Sequence, residues 1–371
     1  MPTPSNILNA NERVSLLING KMHSDWSNYE IDSDFLTPAD GWNVTLGLPD
    51  GTFPSGVKKG ALTEVKVGND TVMTGRVDKV TRTAEKKQLS LRISGRDFAA
   101  ALVDCSVPIF TAKQLSLADV VAKVVQPLGI TKIRINAKDG GSREKVNVEP
   151  GDTAWDTLVQ VASLSGLWPW FEPDGTLVIG GPDYSTPPVA TLIMRKSGSG
   201  NNLIRLTEEE SLNDSYSEIT VLGQAHGTSV EDGRHSMKST VTDPDFPFYR
   251  PKIEVACDVD SLAQVKFKAR KALADARLQA LTLNALVKGH RNSDGVLWKP
   301  GQRIHVISEP HEIDGVFFMM RRGFYGGIPG GQTTEMQLKE DKVWIPDAYS
   351  NALKRSRHRR KEKELQIIDV E

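Results

Sequence analysis

Apolar and polar residues alternate with a period of two through the N-terminal quarter of the chain. Val65/Val67, Val77/Val80 and Leu89/Leu91/Ile93 each stand between polar neighbours, the pattern of half-buried antiparallel strands. The segments VSLLING, WSNYEID and WNVTLGLP, from Val14 onward, are broken by Gly, Pro or Asp turn chemistry. Many short strands at close spacing predict a small barrel or sandwich over residues 12–104, preceded by a loose arm at 1–11.

The period then changes to that of a helix. Leu117, Val120, Val121, Val124 and Val125 form one apolar stripe, with Ser116 as N-cap and Gly129 as the stop, and Ile130 to Ile135 reads as a strand. After a polar loop at 139–147, the stretch from Val148 to Gly180 has the densest pattern in the chain. Asp152 or Thr153 caps a helix whose inward face is Trp155, Leu158, Val159 and Ala162, and Gly166 ends it. Leu167, Trp168, Trp170 and Phe171 then make a strand, Pro173-Asp174-Gly175 a turn, and Leu177 to Ile179 the returning strand. Glu172 and Asp174 are read first as turn residues. Residues 105–182 therefore form an α+β insert, its aliphatic stripes serving as core.

Strands resume over 183–345, interrupted by a long polar loop from His226 to Phe248 and a helix at 260–280. In that helix Leu262, Val265, Ala269, Ala272, Leu273 and Ala276 face inward, and its Lys and Arg residues form a solvated face. The second β segment echoes the first. Lys59-Gly60, EVKV, GRVDKV and LSLRI are matched by Pro300-Gly301, RIHV, GVFFMMRR and EMQLKED. The echo predicts two similar small antiparallel barrels flanking the insert, a mainly β architecture with α+β segments. A basic tail occupies 346–371.

Composition narrows the function. The 371 residues are 39% hydrophobic and 25% charged, and 46 basic residues nearly cancel 47 acidic ones. No global field draws the chain to nucleic acid or membrane. Cys105 and Cys257 are isolated, which argues against a disulfide framework or a cysteine metal cluster and fits a reducing cytosol. The first residues lack the basic and apolar regions of a signal peptide, and no apolar run reaches a membrane span, so a soluble protein is expected. Gly198 and Gly200 lack the lysine and the strand-to-helix setting of a phosphate loop. His305 and His311 are separated by a Pro turn and do not make a helical metal pair. No catalytic motif, no cofactor and no metal site is read from the chain, and a non-enzymatic role is expected.

Two phrases resemble a known family. "G-(D/E)-x-x-W-D-x-L", an aromatic strand and "D-G-x-L" are carried by Gly151, Asp152, Trp155, Asp156, Leu158, Trp168, Asp174, Gly175 and Leu177. "G-x-L-W-x-P-G-x-x-(I/V)-x-V" is carried by Gly295, Leu297, Trp298, Pro300, Gly301, Ile304 and Val306. Both resemble segments of the central baseplate hub of contractile phage tails: the Mu-type hub, the late control protein D family and the N-terminal part of the type VI spike VgrG. The order of elements agrees over residues 12–345.

The resemblance implies a structural virion protein of a phage or prophage baseplate, assembled in the host cytoplasm. It would join the tail tube to the membrane-piercing spike, contact baseplate wedge proteins, and surround a DNA passage without reading sequence. It also implies a homotrimer whose six barrels meet a sixfold tube, with the insert toward the periphery. A type VI spike hub and a tail-borne cell-wall hydrolase are the alternatives. The tail cations Lys354, Arg355, Arg357, Arg359, Arg360, Lys361 and Lys363 are candidates for docking a neighbouring spike or baseplate subunit.

Overall fold

One strand, Ile313–Gly326, joins the two ends of the sequence. In this computed structural model the described residues are 10–48, 52–86, 88–107, 112–115, 117–136, 143–146, 151–163, 167–223, 237–256, 262–327, 331–344 and 367–368. The first six residues of the long strand pair antiparallel with Arg303–Ser308. Its last six, Arg321 to Gly326, pair antiparallel with Asn28–Asp34, almost three hundred positions earlier in the chain. The change of neighbour falls at a register shift between Met319 and Arg321. An extra residue there bends the strand and increases its twist.

The result is a 13-stranded sheet containing both β segments. Its main path runs Leu203–Glu210, Leu281–Lys288, Thr333–Glu340, Ile313–Gly326, Asn28–Asp34, Gly41–Leu48, Gln88–Asp97, Asp70–Glu85, Leu62–Val67, Val14–Ile18 and Lys21–His23. Ala190–Met194 joins through Arg303–Ser308. The mainly β class with an α+β insert is found, but where two small antiparallel barrels are expected, no closed barrel is present among the described residues. The edge of Asn28–Asp34 that such a closure would need is taken by Arg321 to Gly326, so the two halves share one hydrogen-bonded surface. A single apolar core lies beneath it, including Leu16, Ile31, Val44, Val65 and Ile93 from one half and Leu283, Ile304, Val306, Phe324 and Leu338 from the other.

The echo in the sequence is a repeat of strand order. Asn28–Asp34, Gly41–Leu48, Gln88–Asp97, Asp70–Glu85 and Leu62–Val67 follow one another in the first half. Leu203–Glu210, Leu281–Lys288, Thr333–Glu340, Ile313–Gly326 and Arg303–Ser308 do so in the second. The long strand of each half is shifted against its neighbour, between Val77 and Lys79 in one and between Met319 and Arg321 in the other.

Between the halves, helices Ala99–Asp104, Leu117–Val125 and Ala154–Ser163 pack with the strands Trp168–Phe171, Leu177–Gly180 and Ile133–Ile135. The stripe Leu117, Val120, Val121, Val124 and Val125 is buried throughout, and Gly129 ends that run at φ 84. Arg143–Val146, inside the stretch expected as a loop, pairs with Ala112–Leu115. The candidate cap Ser116 and the candidate stop Gly166 lie outside the described residues.

A separate four-stranded sheet was not distinguished by the periodicity. Pro251–Ala256, Glu218–Gly223, Met237–Thr242 and Ile367–Ile368 lie side by side, and helix Leu262–Ala280 covers one face through Val265, Ala269 and Leu273. Part of the expected loop from His226 to Phe248 is thus strand. Met237–Thr242 pairs along its whole length with Glu218–Gly223, burying Val241 completely. Its Lys, Ser and Thr residues hid a β-branched strand inside a polar composition.

Candidate functional site

The first motif builds a joint between the insert and the sheet. Thr153 Oγ1 accepts from the Asp156 backbone N–H at 3.0 Å and donates to the Asp156 carboxylate at 2.7 Å, a reciprocal cap that starts helix Ala154–Ser163. Trp155 and Leu158 are buried in the insert core. Gly151 sits at φ 106 before the cap. In the hairpin, the Asp174 carboxylate accepts from the Thr176 N–H and hydroxyl, which holds its pKa below the usual range.

This turn docks on the first β half: Thr74 Oγ1 donates to Pro173 O at 2.7 Å. A Cβ on Gly175 would stand 2.7 Å from the Phe98 ring, and Gly175 already has φ 80. Glycine is required twice over, by the backbone angle and by the close approach. Glu172, the other carboxylate of the turn, lies 3.2 Å from Arg134.

The second motif shapes the entry to strand Arg303–Ser308. Gly295 and Gly301 both have positive φ, and a Cβ at Gly301 would meet Phe35 at 3.1 Å. Leu297 and Trp298 pack on the main core. Pro300 precedes Gly301, whose N–H donates to Met319 O. The two motifs are brought to a shared neighbour: Trp168 Nε1 donates to Phe35 O, and Phe35 also abuts Gly301.

Phe35 is the centre of an aromatic cluster. It stacks on Phe318 and Trp344 and meets Trp170 edge-on at 5.5 Å, and Trp168 in turn meets Trp344. Tyr184 closes the group against Phe318 and donates its hydroxyl to Trp344 O. Three parts of the chain, the first half, the insert and the second half, converge on these rings.

Charges are buried beside it. Arg322 lies with its guanidinium 3.9 Å over the Phe324 ring, and burial lowers its pKa to about 10. Burial raises Asp40 to about 6, against hydrogen bonds from Ser33 Oγ at 2.5 Å and Asp34 N at 3.0 Å. Asp97 is pushed well above the carboxylate range by burial and by the Asp40 charge, while its side chain accepts from Ala99 N. At the sheet surface Arg321 Nε stands 2.8 Å from Asp32 Oδ1.

A second clamp ties the halves at the other end. Arg291 donates to Asn11 O, Gly295 O and Val67 O and pairs with Asp70 at 2.6 Å. Next to it, His290 is fully buried, its ring nitrogens on Tyr29 Oη and Thr334 Oγ1, and burial lowers its pKa to about 3. His305 pairs with Asp314 and His311 with Ser308. No group of metal-ligating side chains stands together among the described residues.

The accessible features are edges. Among the described residues, along the main path, Leu203–Glu210 has a strand on one side alone, and so does the segment of Asp70–Glu85 beyond Val77, since Leu62–Val67 ends opposite Arg76. Another apolar group lies on the smaller sheet, where Tyr249, Ile253 and Val255 are all more than half exposed. The seven candidate tail cations, Lys354 to Lys363, lie outside the described residues.

Phe35, Phe318, Trp344, Arg322 and Arg291 were missed by sequence reasoning. Each is an aromatic or a cation in a strand or loop, and partners about three hundred positions away give it meaning. The "RR" of GVFFMMRR was the one available signal, since two cations in an apolar strand call for partners.

Comparison with known proteins covers the same segments. Family models match in four stretches: "Mu phage baseplate assembly protein GpP-like, N-terminal" at 13–97, "Baseplate hub protein gp44-like, second domain" at 99–181, "Tail protein NMB1110-like, third domain" at 215–273, and "Tail protein, C-terminal domain" (NMB1110-like) at 275–343. The baseplate hub protein gp44 of Escherichia phage Mu is 26% identical over 315 residues, covering 81% of this chain and 80% of gp44. The crystal structure of the tail protein from Neisseria meningitidis MC58 superposes with a TM-score of 0.81 at 41% identity, over 91% of this chain and 99% of that one. The 43 kDa tail protein of prophage MuSo2 from Shewanella oneidensis gives 0.78 at 21% identity, over 90% and 99%.

Proposed function

The chain belongs to the Mu-type baseplate hub family of phage and prophage tails, and we propose that three copies close head to tail into a ring at the centre of the baseplate. The observation that carries the ring is the repeated strand order within one continuous sheet. One chain supplies two near-equivalent units side by side, so three chains supply the six that a sixfold tail tube requires. The spike would sit on the threefold side and DNA would pass through the centre without base recognition, with wedge proteins outside.

The role is structural, with no cofactor. The docked hairpin, the aromatic cluster and the Arg291 clamp make the halves and the insert a stiff body suited to transmitting force. The insert packs on the sheet through Pro173–Gly175 and Trp168, which supports a peripheral position for it. Virion incorporation follows family membership, with assembly in the host cytoplasm as the expected route.

Light scattering over a concentration series tests the ring. A trimer is expected, weakening to monomer on dilution, and a stable dimer overturns the reading because it supplies four units. For the basic tail, replacing Lys354, Arg355, Arg357, Arg359, Arg360, Lys361 and Lys363 by Gln keeps strand Ile367–Ile368 in the smaller sheet and should weaken co-purification with the spike. Unchanged spike binding would remove the docking role.

A further inference from the structure

Each half of the chain contains the same four-strand row. Crossing the first half just after its register shift gives Glu30, Asn43, Ser94 and Lys79. Crossing the second at the corresponding point gives Thr207, Asn284, Gln337 and Arg321. These rows align strand for strand, so Lys79 to Ala84 occupies the place of Arg321 to Gly326, and Leu206 to Ser211 that of Tyr29 to Asp34.

Within the chain those places are joined. Arg321 to Gly326 pairs antiparallel with Asp34 to Tyr29, and Arg321 reaches Asp32 across the joint. The equivalent pair is open at both ends. Lys79 to Glu85 makes backbone hydrogen bonds to Gln88–Asp97 on one side alone among the described residues, and Lys79 and Thr81 to Glu85 are exposed. Leu203–Glu210 has Leu281–Lys288 on one side, with Thr207, Glu209 and Glu210 exposed. A long free edge invites another strand.

Resting on the ring reading, we infer that consecutive copies of this chain join by antiparallel pairing of Lys79 to Ala84 on one copy with Leu206 to Ser211 on the next. Carrying over the internal register puts Arg82 opposite Glu208, Thr83 opposite Thr207 and Ala84 opposite Leu206. Lys79 takes the position of Arg321 and Glu209 that of Asp32, so the ion pair of the internal joint recurs between copies. The charges agree with the geometry. One edge carries Lys79 and Arg82, whose guanidinium rests on Val57 O, and the other carries Glu208, Glu209 and Glu210. Three adjacent carboxylates keep such edges from pairing with each other, and opposite charge fixes partner and register. The contact uses two different edges, so it is heterologous and closes a ring when the rotation is right.

The test uses the full chain with Cys105→Ser and Cys257→Ser, carrying Thr83→Cys and Thr207→Cys together. Cross-strand partners come within disulfide reach. Mild oxidation at a concentration where scattering gives a trimer should convert it to covalent trimers on a non-reducing gel. The shifted pair Thr81→Cys with Thr207→Cys should give at least fivefold less. In parallel, Lys79→Glu with Arg82→Glu should weaken association at least tenfold, and Glu208→Lys with Glu209→Lys added to the same chain should restore it. A trimer that does not cross-link, links equally in both registers, or ignores the charge reversal overturns this pairing and leaves the ring standing. A protein that is monomeric at every concentration overturns both.

Discussion

The indole Nε1 of Trp168 donates to the backbone carbonyl of Phe35 at 2.7 Å, tying the insert to the first β half at the centre of the aromatic cluster. Trp168→Phe keeps an aromatic ring and leaves that carbonyl without its donor. A loss of about 1–2 kcal/mol is expected. Trp344→Ala removes a ring that touches Phe35, Trp168 and Phe318, and should cost about 3–5 kcal/mol. Urea unfolding followed by tryptophan fluorescence measures both. Hydrogen exchange should rise in residues 35–40 in each variant, and unchanged protection there would sink the junction role.

Two motif glycines have different requirements. Gly175→Ala forces a methyl group to 2.7 Å from the Phe98 ring and strains φ 80, whereas nothing lies within 4 Å of a Cβ on Gly151. Gly151→Ala therefore pays the backbone term of about 1 kcal/mol, and Gly175→Ala that term plus a clash, about 2–4 kcal/mol in all. Thermal unfolding of the pair should rank them in this order. Equal losses would mean the hairpin does not depend on its seat against Phe98.

The elements closest together in sequence were the ones legible from it. The capped helix at Thr153, the hairpin turning at Asp174 and Gly175 and the helix Leu262–Ala280 each depend on contacts within a few positions. The repeated strand order was also visible, because EVKV and RIHV, or LSLRI and EMQLKED, occupy matched strands. The joint itself was hidden. That Arg321 to Gly326, while keeping Thr333–Glu340 on one edge, would pair its other edge with Tyr29 to Asp34 is a choice between equivalent edges, and alternation within a strand carries no label for its neighbour. The same limit concealed strand Met237–Thr242, whose polar face outnumbers its buried valine.

Arg291 is the counterpart of that joint at the opposite end of the halves. Its guanidinium serves Asn11 O, Gly295 O, Val67 O and the Asp70 carboxylate, and its side chain is 14% exposed. Arg291→Met preserves the stem and strands three carbonyls, for a loss of roughly 2–4 kcal/mol. Asp70→Asn removes a partner that is itself half exposed and should cost below about 1 kcal/mol. Chemical denaturation of the two variants decides whether the carbonyls or the ion pair hold this end.

Asp40, Asp97 and Arg322 make stability depend on pH with an unusual sign. Burial raises Asp40 from 3.8 to about 6 and Asp97 well above its ordinary value, so the folded chain binds these protons more tightly than the unfolded chain does. Their contribution is complete below pH ~3.8 and is lost as pH rises through about 6 and beyond. A shift of this size in Asp40 corresponds to about 3 kcal/mol. His290 acts in the opposite sense, because burial lowers its pKa to about 3 and its contribution is lost as pH falls through 6.5. It is therefore in a His290→Gln background that the urea midpoint should rise as pH falls from 7.5 toward 5. Below that the slope should reverse, because Asp104, Asp174 and Asp183 are held low by hydrogen bonds from Arg96, Thr176 and Ser185 and lose them on protonation. Asp40→Asn should flatten the upper branch. Arg322→Met removes the cation that draws Asp40 downward and should move that branch to higher pH. If Asp40→Asn added to that His290→Gln background leaves the slope between pH 7.5 and 5 unchanged, burial does not hold a proton on Asp40.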